Sequence, residues 1–555
     1  MRNISRPLAL VAGCAFLTCL AATDARAQFG RGAGTWNTGG ADAQRDSWAR
    51  TDGRISATSM PGFSFLWKVK ANSNPVQSFS LSSAVMVDSY IGYRGFRAYA
   101  FLGGASNNAV GLDIDLGRVE WTQSFGAAPS GTATCPGATT AGVTRSTPLA
   151  PAAPAAGAAG RGGAGRGGAA SGVSEPGAGA ITIGQGRGGG FGGAGGPGGA
   201  SGGRGGAGGR GGAVGVSGGR GGGAGGFGAR PPEAVYAVSA DGMLHTLYIS
   251  NGQDAKPPVR FLPAGVNASG LLLVDGVIYA STSGNCGGAP NGVWAIDTSA
   301  ATPSAIHWSS NGGGVAGTFG PALGTGGMVY AATADGDYTP TAFSDTVVGL
   351  DGKTLGLKDW FTPGKSEFTS SPVVFQFNGK DLVAVANKDG RLYLLDGASL
   401  GGGDHKTPLA SVKYADSGAG AGALASWQDA AGTRWILAGS ANGIVALKVV
   451  DQGGKATLQQ GWTSRAIASP LPPIVINGIV MTAASGAGSS PAVFYALDGA
   501  TGKELFNSGS TITAPAARAG ALAGSAGQVY LSTADGTIYA FGIPLVPPDL
   551  AKKVQ

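Results

Sequence analysis

Side chains that commonly carry out chemistry are scarce in this 555-residue chain. The three histidines, His245, His307 and His405, lie far apart and at unlike positions of the sequence pattern, so we expect packing or surface roles for them. The sequence has no adjacent cysteines, no C-x-x-C-H motif, and no credible Gly-x-Ser-x-Gly or nucleotide-binding loop. The one acidic pattern that recurs is Asp-Gly, and in the repeated hairpin it occurs at Asp241, Asp335, Asp389 and Asp535.

The Asp-Gly pairs lie between short apolar strands, as in VYAVSADGMLHTL from Val235 and VYLSTADGTIYAF from Val529. Asp-Gly and Asn-Gly favour two-residue hairpins, because a type I′ turn requires positive φ at both central residues. We therefore interpret the four aspartates as turn formers rather than as a ring of functional acids.

The hairpins recur at a spacing typical of β-propeller blades. Clear copies place Tyr236, Tyr330, Ala384, Leu437 and Tyr530 in register, and weaker copies near Tyr279 and Met481 bring the spacing to 43–54 residues. A period of roughly 40–50 residues with several strands per unit indicates a propeller. Each blade is expected to end in an outer strand with an aromatic residue, here Trp121, Trp308, Trp360, Trp462 and Phe506.

The predicted fold is all-β, an eight-bladed propeller of four-stranded antiparallel blades, although the repeat count also leaves seven blades open. The last repeat lacks its outer strand, and the segment FSFLWKVK with Trp67 lies unpaired near the N-terminus. This segment is expected to complete the last blade and remove the free edges. The blades are expected at 80–126, 143–263, 270–310, 320–362, 368–415, 420–465, 469–508 and 517–543 with 63–70.

The chain ends and one internal tract fall outside the repeat pattern. Residues 1–27 are expected to be a signal peptide, with Arg2 and Arg6 before an apolar run and Ala25-Arg26-Ala27 as a cleavage site. A lipid anchor at Cys14 is the alternative to soluble periplasmic or extracellular export. The propeller is assigned to 28–151 and 232–545, and residues 546–555 form a C-terminal tail. No later segment is apolar enough to predict a transmembrane span.

Residues 152–231 are a Gly/Ala/Arg-rich tract, expected to be a disordered insertion in a hairpin of blade 2. The chain carries a net charge of +7, of which the tract supplies +6 and the signal +2, leaving −1 for the propeller. The basic surplus therefore lies outside the folded body. We expect no nucleic-acid partner, although RGG-like segments bind RNA in other settings.

Two cysteines, Cys135 and Cys286, remain once the signal is removed. Cys135 lies in the connection from blade 1 to blade 2, and Cys286 lies in a widened hairpin of blade 3. Both kinds of loop emerge on the same face of a propeller, and an exported protein meets an oxidising compartment. A Cys135–Cys286 disulfide is therefore predicted, with two free thiols as the alternative.

The blade pattern resembles the pyrroloquinoline-quinone (PQQ) type repeat of quinoprotein alcohol dehydrogenases, which also occurs in non-catalytic exported propellers. The segment from Trp36 to Trp48, WNTGGADAQRDSW, with Arg54-Ile55-Ser56, is similar to the N-terminal entry of those proteins. The resemblance covers nearly all of 36–543 outside the tract. It implies the fold, and it admits PQQ with Ca²⁺ as a cofactor pair.

The dehydrogenases of that family hold the quinone in the axial funnel, with a vicinal disulfide, a metal bound by Glu, Asn and Asp, and a catalytic Asp. This chain has no vicinal cysteines and only five glutamates, at 120, 175, 233, 367 and 504. A hard cation requires several clustered oxygen ligands. The catalytic parts of the family do not carry over to these positions, and no metal ligands or catalytic residues are assigned.

One site hypothesis concerns loops that lead into the blades and converge on the axis. Four charged residues in those loops, Arg145, Glu367, Arg465 and Arg518, are candidates for a cofactor- or ligand-binding mouth that suits an anion, PQQ included. The alternative is that these are unrelated charges on the rim.

The sequence favours an exported monomer that acts as a binding or scaffolding module in the cell envelope, with an unknown protein or a small anionic ligand as its partner. A PQQ-dependent alcohol or sugar dehydrogenase is the first alternative. An outer-membrane protein assembly factor is the second.

Overall fold

Apolar strands joined by glycine turns build eight four-stranded antiparallel blades around a ring, as the repeat predicts. The computed structural model describes residues 36–71, 81–92, 95–104, 106–131, 134–135, 141–148, 234–416, 420–517 and 520–545. The predicted signal peptide (1–27), the insertion (152–231) and the tail (546–555) lie outside the described residues. Within the described ranges, no helix is long and apolar enough to cross a bilayer.

In each blade the first strand lies at the axis and the fourth at the perimeter. The strands of blades 1 to 4 are Val85–Gly92, Gly95–Gly103, Asn108–Asp113 and Arg118–Ser124; Val143–Thr144, Ala234–Val238, Met243–Tyr248 and Val259–Arg260; Asn267–Val274, Val277–Ser283, Gly292–Asp297 and Ala305–Ser309; Ala322–Leu323, Met328–Ala332, Val347–Asp351 and Leu357–Phe361. The strands of blades 5 to 8 are Val373–Phe377, Lys380–Ala386, Arg391–Asp396 and Ala410–Lys413; Ala425–Gln428, Arg434–Ser440, Gly443–Gln452 and Lys455–Thr463; Ile474–Ile476, Ile479–Ala484, Val493–Asp498 and Glu504–Asn507; Ala523–Ser525, Gln528–Ser532, Thr537–Gly542 and Ser64–Lys70.

The described residues also form shorter elements. These are the strands Trp48–Ala49, Tyr338–Thr339, Ala342–Phe343, Ser370–Ser371 and Gly422–Ala423, and the 3₁₀ turns Met60–Gly62 and Gly402–Asp404. Trp48–Ala49 adds to blade 7 as a parallel strand against Val475 and Ile476. Alternate apolar side chains of each blade pack against the neighbouring blade, so the core consists of clusters between blades.

The N-terminal segment closes the ring as predicted. Ser64–Lys70 pairs antiparallel with Thr537–Gly542 and becomes the outer strand of blade 8. This pairing covers a free sheet edge and joins the two ends of the described chain.

Outer-strand tryptophans bond blade 1 to blade 2 and blade 6 to blade 7. The Nε1–H of Trp121 donates to the carbonyl of Ile249 at 2.7 Å, and that of Trp462 donates to Gly499 at 2.9 Å. Each ring lies over a glycine in the receiving turn. A Cβ at Gly252 would lie 2.3 Å from the Trp121 ring, and one at Gly502 would lie 2.4 Å from the Trp462 ring. These turns require glycine because any side chain would occupy the space of the indole.

The Asp-Gly turns connect the second and third strands as expected, but the predicted type I′ geometry is wrong. Gly242, Gly390 and Gly536 have φ of 84°, 71° and 78°, whereas the preceding aspartates do not have positive φ. In blade 2 the amide of Gly242 donates to the carbonyl of Ser239 at 2.8 Å, three residues back. This is the three-residue hairpin in which only the glycine is left-handed.

In blade 4 the second and third strands are not joined by a tight hairpin. Its second and third strands are separated by residues 333–346, and Asp335-Gly336 lies inside this loop rather than at a tight turn. The loop forms a small hairpin of its own, in which Tyr338 pairs with Phe343. In blade 2, residues 149–233 connect the first and second strands, and these residues lie outside the described part of the chain.

Candidate ligand-binding cleft beside a closed axis

Residues 36–55, here called the axial segment, cross the centre of the ring and contact every blade in order. Backbone carbonyls of the segment accept hydrogen bonds of 2.7–2.9 Å from amides of blades 1, 2, 4, 5, 6 and 7, namely those of Met86, Arg145, Leu323, Val374, Ser426 and Val475. Thr38 Oγ1 donates to Leu271 of blade 3, and Asp52 accepts from the amide of Gly527 in blade 8. One stretch of chain therefore bonds to all eight blades at the axis.

Arg45 fixes the middle of the axial segment. Its side chain is 1% exposed and donates through Nε to the carbonyl of Pro321 at 3.0 Å and through Nη2 to that of Gly270 at 2.9 Å. Nη1 donates to Thr38 Oγ1 at 2.7 Å and to the carbonyl of Gly39. The guanidinium is thus satisfied by neutral oxygens of the segment and of blades 3 and 4. Arg45 itself has φ of 60°, a conformation held by these surroundings.

The axis is filled at the level of Phe319, from the chain leading into blade 4. This ring is 2% exposed and packs with Ala423 of blade 6 and Ala521 of blade 8, on the far side of the ring. It also lies against Gly39 and Gly40, where an added Cβ would be 2.9 Å from the ring. Phe319 and the axial segment together form a packed plug.

The plug occupies the part of the ring where a PQQ–metal pair would have to fit. The quinone of the resembling dehydrogenases lies in the axial funnel, and the metal beside it requires clustered oxygen ligands. At the level of Phe319 the space is occupied by the chain itself. In the described residues, no group of three or more His, Cys, Asp or Glu side chains is placed to hold a metal ion. The residues at this level of the axis do not fit the pair.

A cleft of about 510 Å³ opens beside the axial segment, between blades 5 and 6. It lies on the face where the first and second strands of each blade are joined, opposite to the Asp-Gly turns. The axial segment supplies one wall, with Gln44 and Trp48. Blade 5 supplies Phe375 and Gln376, and blade 6 supplies Arg434. Its volume is that of a small-molecule site.

Arg434 is the main charge buried in the cleft. Arg434 is the first residue of the second strand of blade 6, and it is 7% exposed. The guanidinium carbon lies 5.6 Å from the centre of the Trp48 ring and 5.4 Å from that of Phe375. Its Nε and Nη1 are buried without a hydrogen-bond partner. Burial lowers the pKa of Arg434 to about 10, with Asp46 opposing the shift, so the group is a cation at neutral pH.

Two amide side chains of the cleft are also incompletely bonded. Gln44 is 3% exposed, and neither its Oε1 nor its Nε2 has a partner. Gln376 donates from Nε2 to Asp381 and to Thr325 Oγ1, whereas its Oε1 is buried and unpartnered. A buried polar group without a partner costs about 1–3 kcal/mol, so a hydrogen-bond partner at these atoms would stabilise the cleft.

The carboxylates near the cleft already have partners. Arg50 donates to Asp42 at 3.1 Å and also contacts Asp46, and its guanidinium lies 4.6 Å from the Trp48 ring centre. Burial, and then repulsion from Asp42, raises the pKa of Asp46 above its ordinary value. Within the described ranges, no carboxylate lies at ion-pair distance from Arg434. Asp381, which is bonded by Thr325 and Gln376, also lines the cleft, so the cleft holds both charges and Arg434 is its positive end.

The structure gives the predicted mouth residues separate partners. Arg145 donates to Asn37 Oδ1 at 3.0 Å and to the carbonyl of Met86 at 2.9 Å. Glu367 pairs with Lys388 at 2.7 Å. Arg465 pairs with Glu504, on the outer strand of blade 7, at 2.7 Å. The fourth residue, Arg518, lies outside the described residues. The three described side chains are not joined in one cluster by these bonds.

Blade 2 holds a serine, a histidine and an aspartate in the order of a catalytic triad. His245 Nε2 lies 3.2 Å from Ser239 Oγ, and Nδ1 lies 3.1 Å from Asp254. The hydroxyl, however, contacts Asp241 and the carbonyl of Met243 within the turn. The equivalent Thr533 in blade 8 makes the same contacts with Asp535 and Thr537, and no histidine accompanies it. Ser239 is therefore part of the repeated turn rather than a nucleophile.

The histidines pack against aromatic rings in separate blades. Ring centres lie 4.3 Å apart for His245 and Phe125, 4.5 Å apart for His307 and Trp294, and 3.6 Å apart for His405 and Trp360. Cys135 and Cys286 are joined by a disulfide with a Cα–Cα distance of 5.1 Å. This bond links the connection before blade 2 to a hairpin of blade 3.

Sequence reasoning did not find Gln44 and Arg434 as site residues. Gln44 lies in a segment that does not repeat, and Arg434 lies directly before an apolar strand, where a surface charge is ordinary. Only the folding of the axial segment across blades 5 and 6 brings them to one cleft.

Comparisons with known proteins establish the fold alone. No protein-family model and no curated protein sequence matches the chain. Its structure is similar to the quinohemoprotein alcohol dehydrogenase of Comamonas testosteroni, at 10% identity and a TM-score of 0.53, over 92% of this chain and 80% of that one. It is equally similar to a europium-containing methanol dehydrogenase, at 10% identity and a TM-score of 0.53, over 92% and 98% of the two chains.

These similarities show that the chain has the eight-bladed propeller fold of the PQQ-type dehydrogenases. BamB of Moraxella catarrhalis matches at 13% identity over 57% of this chain and 80% of its own, with a TM-score of 0.39. That similarity is too low to support an assembly-factor function.

Proposed function

We propose that this chain is an exported, non-catalytic propeller that serves as a binding module in the cell envelope, with its ligand site in the cleft between blades 5 and 6. The observation that carries the proposal is the plugged axis. Residues of the chain itself occupy the level of Phe319, whereas the neighbouring cleft retains buried polar atoms without partners. Binding, rather than axial quinone chemistry, is the function that this arrangement supports best.

Export to the periplasm or the exterior is part of the proposal. It depends on the signal-like residues 1–27, and the Cys135–Cys286 disulfide agrees with an oxidising compartment. Cleavage after Ala27 predicts a mature chain that starts at Gln28. Mass spectrometry of the secreted protein tests this, and a lipid-modified Cys14 would show the alternative anchor.

A PQQ-dependent oxidoreductase is the second candidate function, because the similar solved structures are named as dehydrogenases. The test is reconstitution of the purified mature protein with PQQ and Ca²⁺, followed by equilibrium dialysis and a dye-linked alcohol and sugar dehydrogenase assay. We expect no stoichiometric quinone uptake and no dye reduction. Stoichiometric uptake accompanied by dye reduction would overturn the non-catalytic assignment.

An anion-binding mouth at Arg145, Glu367, Arg465 and Arg518 is a separate, weaker proposal. The ion pairs of Glu367 and Arg465 already neutralise part of its charge. If the mouth binds PQQ or another anion, Arg465→Ala with Arg518→Ala should weaken that binding at least about tenfold. Unchanged affinity in the double variant would eliminate this mouth.

A further inference from the structure

We infer that the cleft between blades 5 and 6 binds a small hydroxylated carboxylate, of which a hexuronic acid is the simplest example. The inference depends on the proposed binding function and names the ligand class. The carboxylate would be bound at Arg434, hydroxyl groups at the amide oxygens of Gln44 and Gln376, and the ring against the aromatic wall.

The anionic end follows from Arg434. Its guanidinium is buried and has two nitrogens without a hydrogen-bond partner, and the nearby carboxylate of Asp46 is already bonded by Arg50. An oxyanion is the partner that such a group binds most strongly, through charge-assisted hydrogen bonds. One guanidinium with the amide of Gln44 supplies the charge and donors for a monoanion. A phosphate dianion would leave a charge uncompensated, so a carboxylate fits better.

The hydroxyl groups follow from the two free acceptors. Gln376 Oε1 is buried without a donor because its Nε2 is engaged by Asp381 and Thr325. Gln44 Oε1 is likewise free. Each requires an O–H or N–H donor from the ligand. Hydroxyl groups supply such donors without placing a second cation in the cleft beside Arg434.

The ring position follows from the aromatic wall. The Trp48 and Phe375 rings already pack against Arg434, whereas Phe377 lies half-buried at the edge of the cleft, at the end of the Phe375 strand, and has the ring face left for a ligand. Flat aromatic faces pack against the C–H face of a sugar ring, whereas the polar groups contact its edge. The cleft of about 510 Å³ has room for one or two such rings.

Isothermal titration of the mature protein with three probes tests the ligand class. D-Glucuronate carries both recognised groups, D-glucose lacks the carboxylate, and cyclohexanecarboxylate lacks the hydroxyls. We expect glucuronate to bind at least about tenfold more tightly than either of the others. Equal binding of glucuronate and glucose would contradict a site organised by Arg434, and so would no binding of any probe at millimolar concentration.

Arg434→Met tests the residue that carries the inference, because it keeps much of the side-chain bulk and removes the charge. We expect at least about 30-fold weaker glucuronate binding. Arg391→Met is the matched control, because Arg391 lies on the third strand of blade 5 and bonds Ser411. The affinity of this control variant for glucuronate should stay within about twofold of the wild type. Retained affinity in Arg434→Met would overturn the inference.

A second variant keeps the test decisive if Arg434→Met does not fold. Phe377→Ala changes the half-buried edge of the cleft, and it should weaken glucuronate binding about fivefold or more while glucose binding stays weak. Wild-type affinity in Phe377→Ala would also contradict this placement of the ring. Absence of uronate binding would reject this ligand class without rejecting the non-catalytic assignment, which PQQ and Ca²⁺ reconstitution tests separately.

Discussion

Replacement of Arg45 by methionine should destabilise the whole ring. Methionine keeps the apolar stem but removes donors to Pro321, Gly270, Thr38 and Gly39. Two of these acceptors are carbonyls of blades 3 and 4 beside a side chain that is 1% exposed. Leaving a buried acceptor unsatisfied costs about 1–3 kcal/mol, so loss of the network should lower the free energy of unfolding by about 3–5 kcal/mol.

Urea unfolding followed by tryptophan fluorescence measures this loss. Arg118→Met is the matched control, because Arg118 is 51% exposed and pairs with Glu120 on an outer strand. An exposed pair contributes about 0–1 kcal/mol, so this control should unfold almost like the wild type. An Arg45→Met variant within about 1 kcal/mol of the wild type would refute the plug as a stabilising element.

Three further predictions concern other parts of the ring. Replacing Cys135 and Cys286 by serine removes a disulfide that closes a loop with a sequence separation of 151. The chain-entropy model gives a decrease of about 5 kcal/mol in the free energy of unfolding, measured by calorimetry. A decrease below about 1 kcal/mol would contradict this expectation. Gly502→Ala places a Cβ 2.4 Å from an outer-strand tryptophan at φ 72°, whereas Gly454→Ala has open space at φ 85°. Chemical unfolding should therefore show Gly502→Ala to be the less stable by at least about 2 kcal/mol, and equal losses would argue against the packing contact. Burial, and then nearby carboxylates, raises the pKa of Asp345 to about 6 from 3.8, so the folded state binds more protons and stability falls as pH rises through this window. Asp345→Asn should flatten that pH dependence between about pH 4 and 6, and parallel curves for variant and wild type would exclude the effect.

The blades could be predicted from the sequence because local rules specify them. Alternating apolar residues at a regular period indicate stacked four-stranded sheets, and the unpaired strand around Trp67 predicts the closure of blade 8. The type of turn could not be predicted from Asp-Gly alone. In blades 2 and 8, Ser239 and Thr533 bond the turn aspartate, and this contact favours a type I turn followed by a left-handed glycine.

The plug and the cleft could not be predicted, because they depend on long-range contacts of a segment that does not repeat. Ala41, Arg45 and Ser47 have positive φ, although none of them is a glycine, so the sequence does not indicate these bends. These bends direct the carbonyls of the axial segment to successive blades. Gln44 and Arg434 are almost 400 positions apart in the sequence, so no local pattern connects them.

Hydrogen exchange of the axial segment tests the central claim most directly, since the claim is that residues 36–55 occupy the axis. The amides of Val374, Ser426 and Val475 donate to this segment, and that of Ser47 donates to Gly40 within it. We predict protection of these amides comparable to that of the central strands of the blades, without any added cofactor. Complete exchange of the 36–55 peptide within seconds, beside protected blades, would show an open axis and contradict the proposed plug.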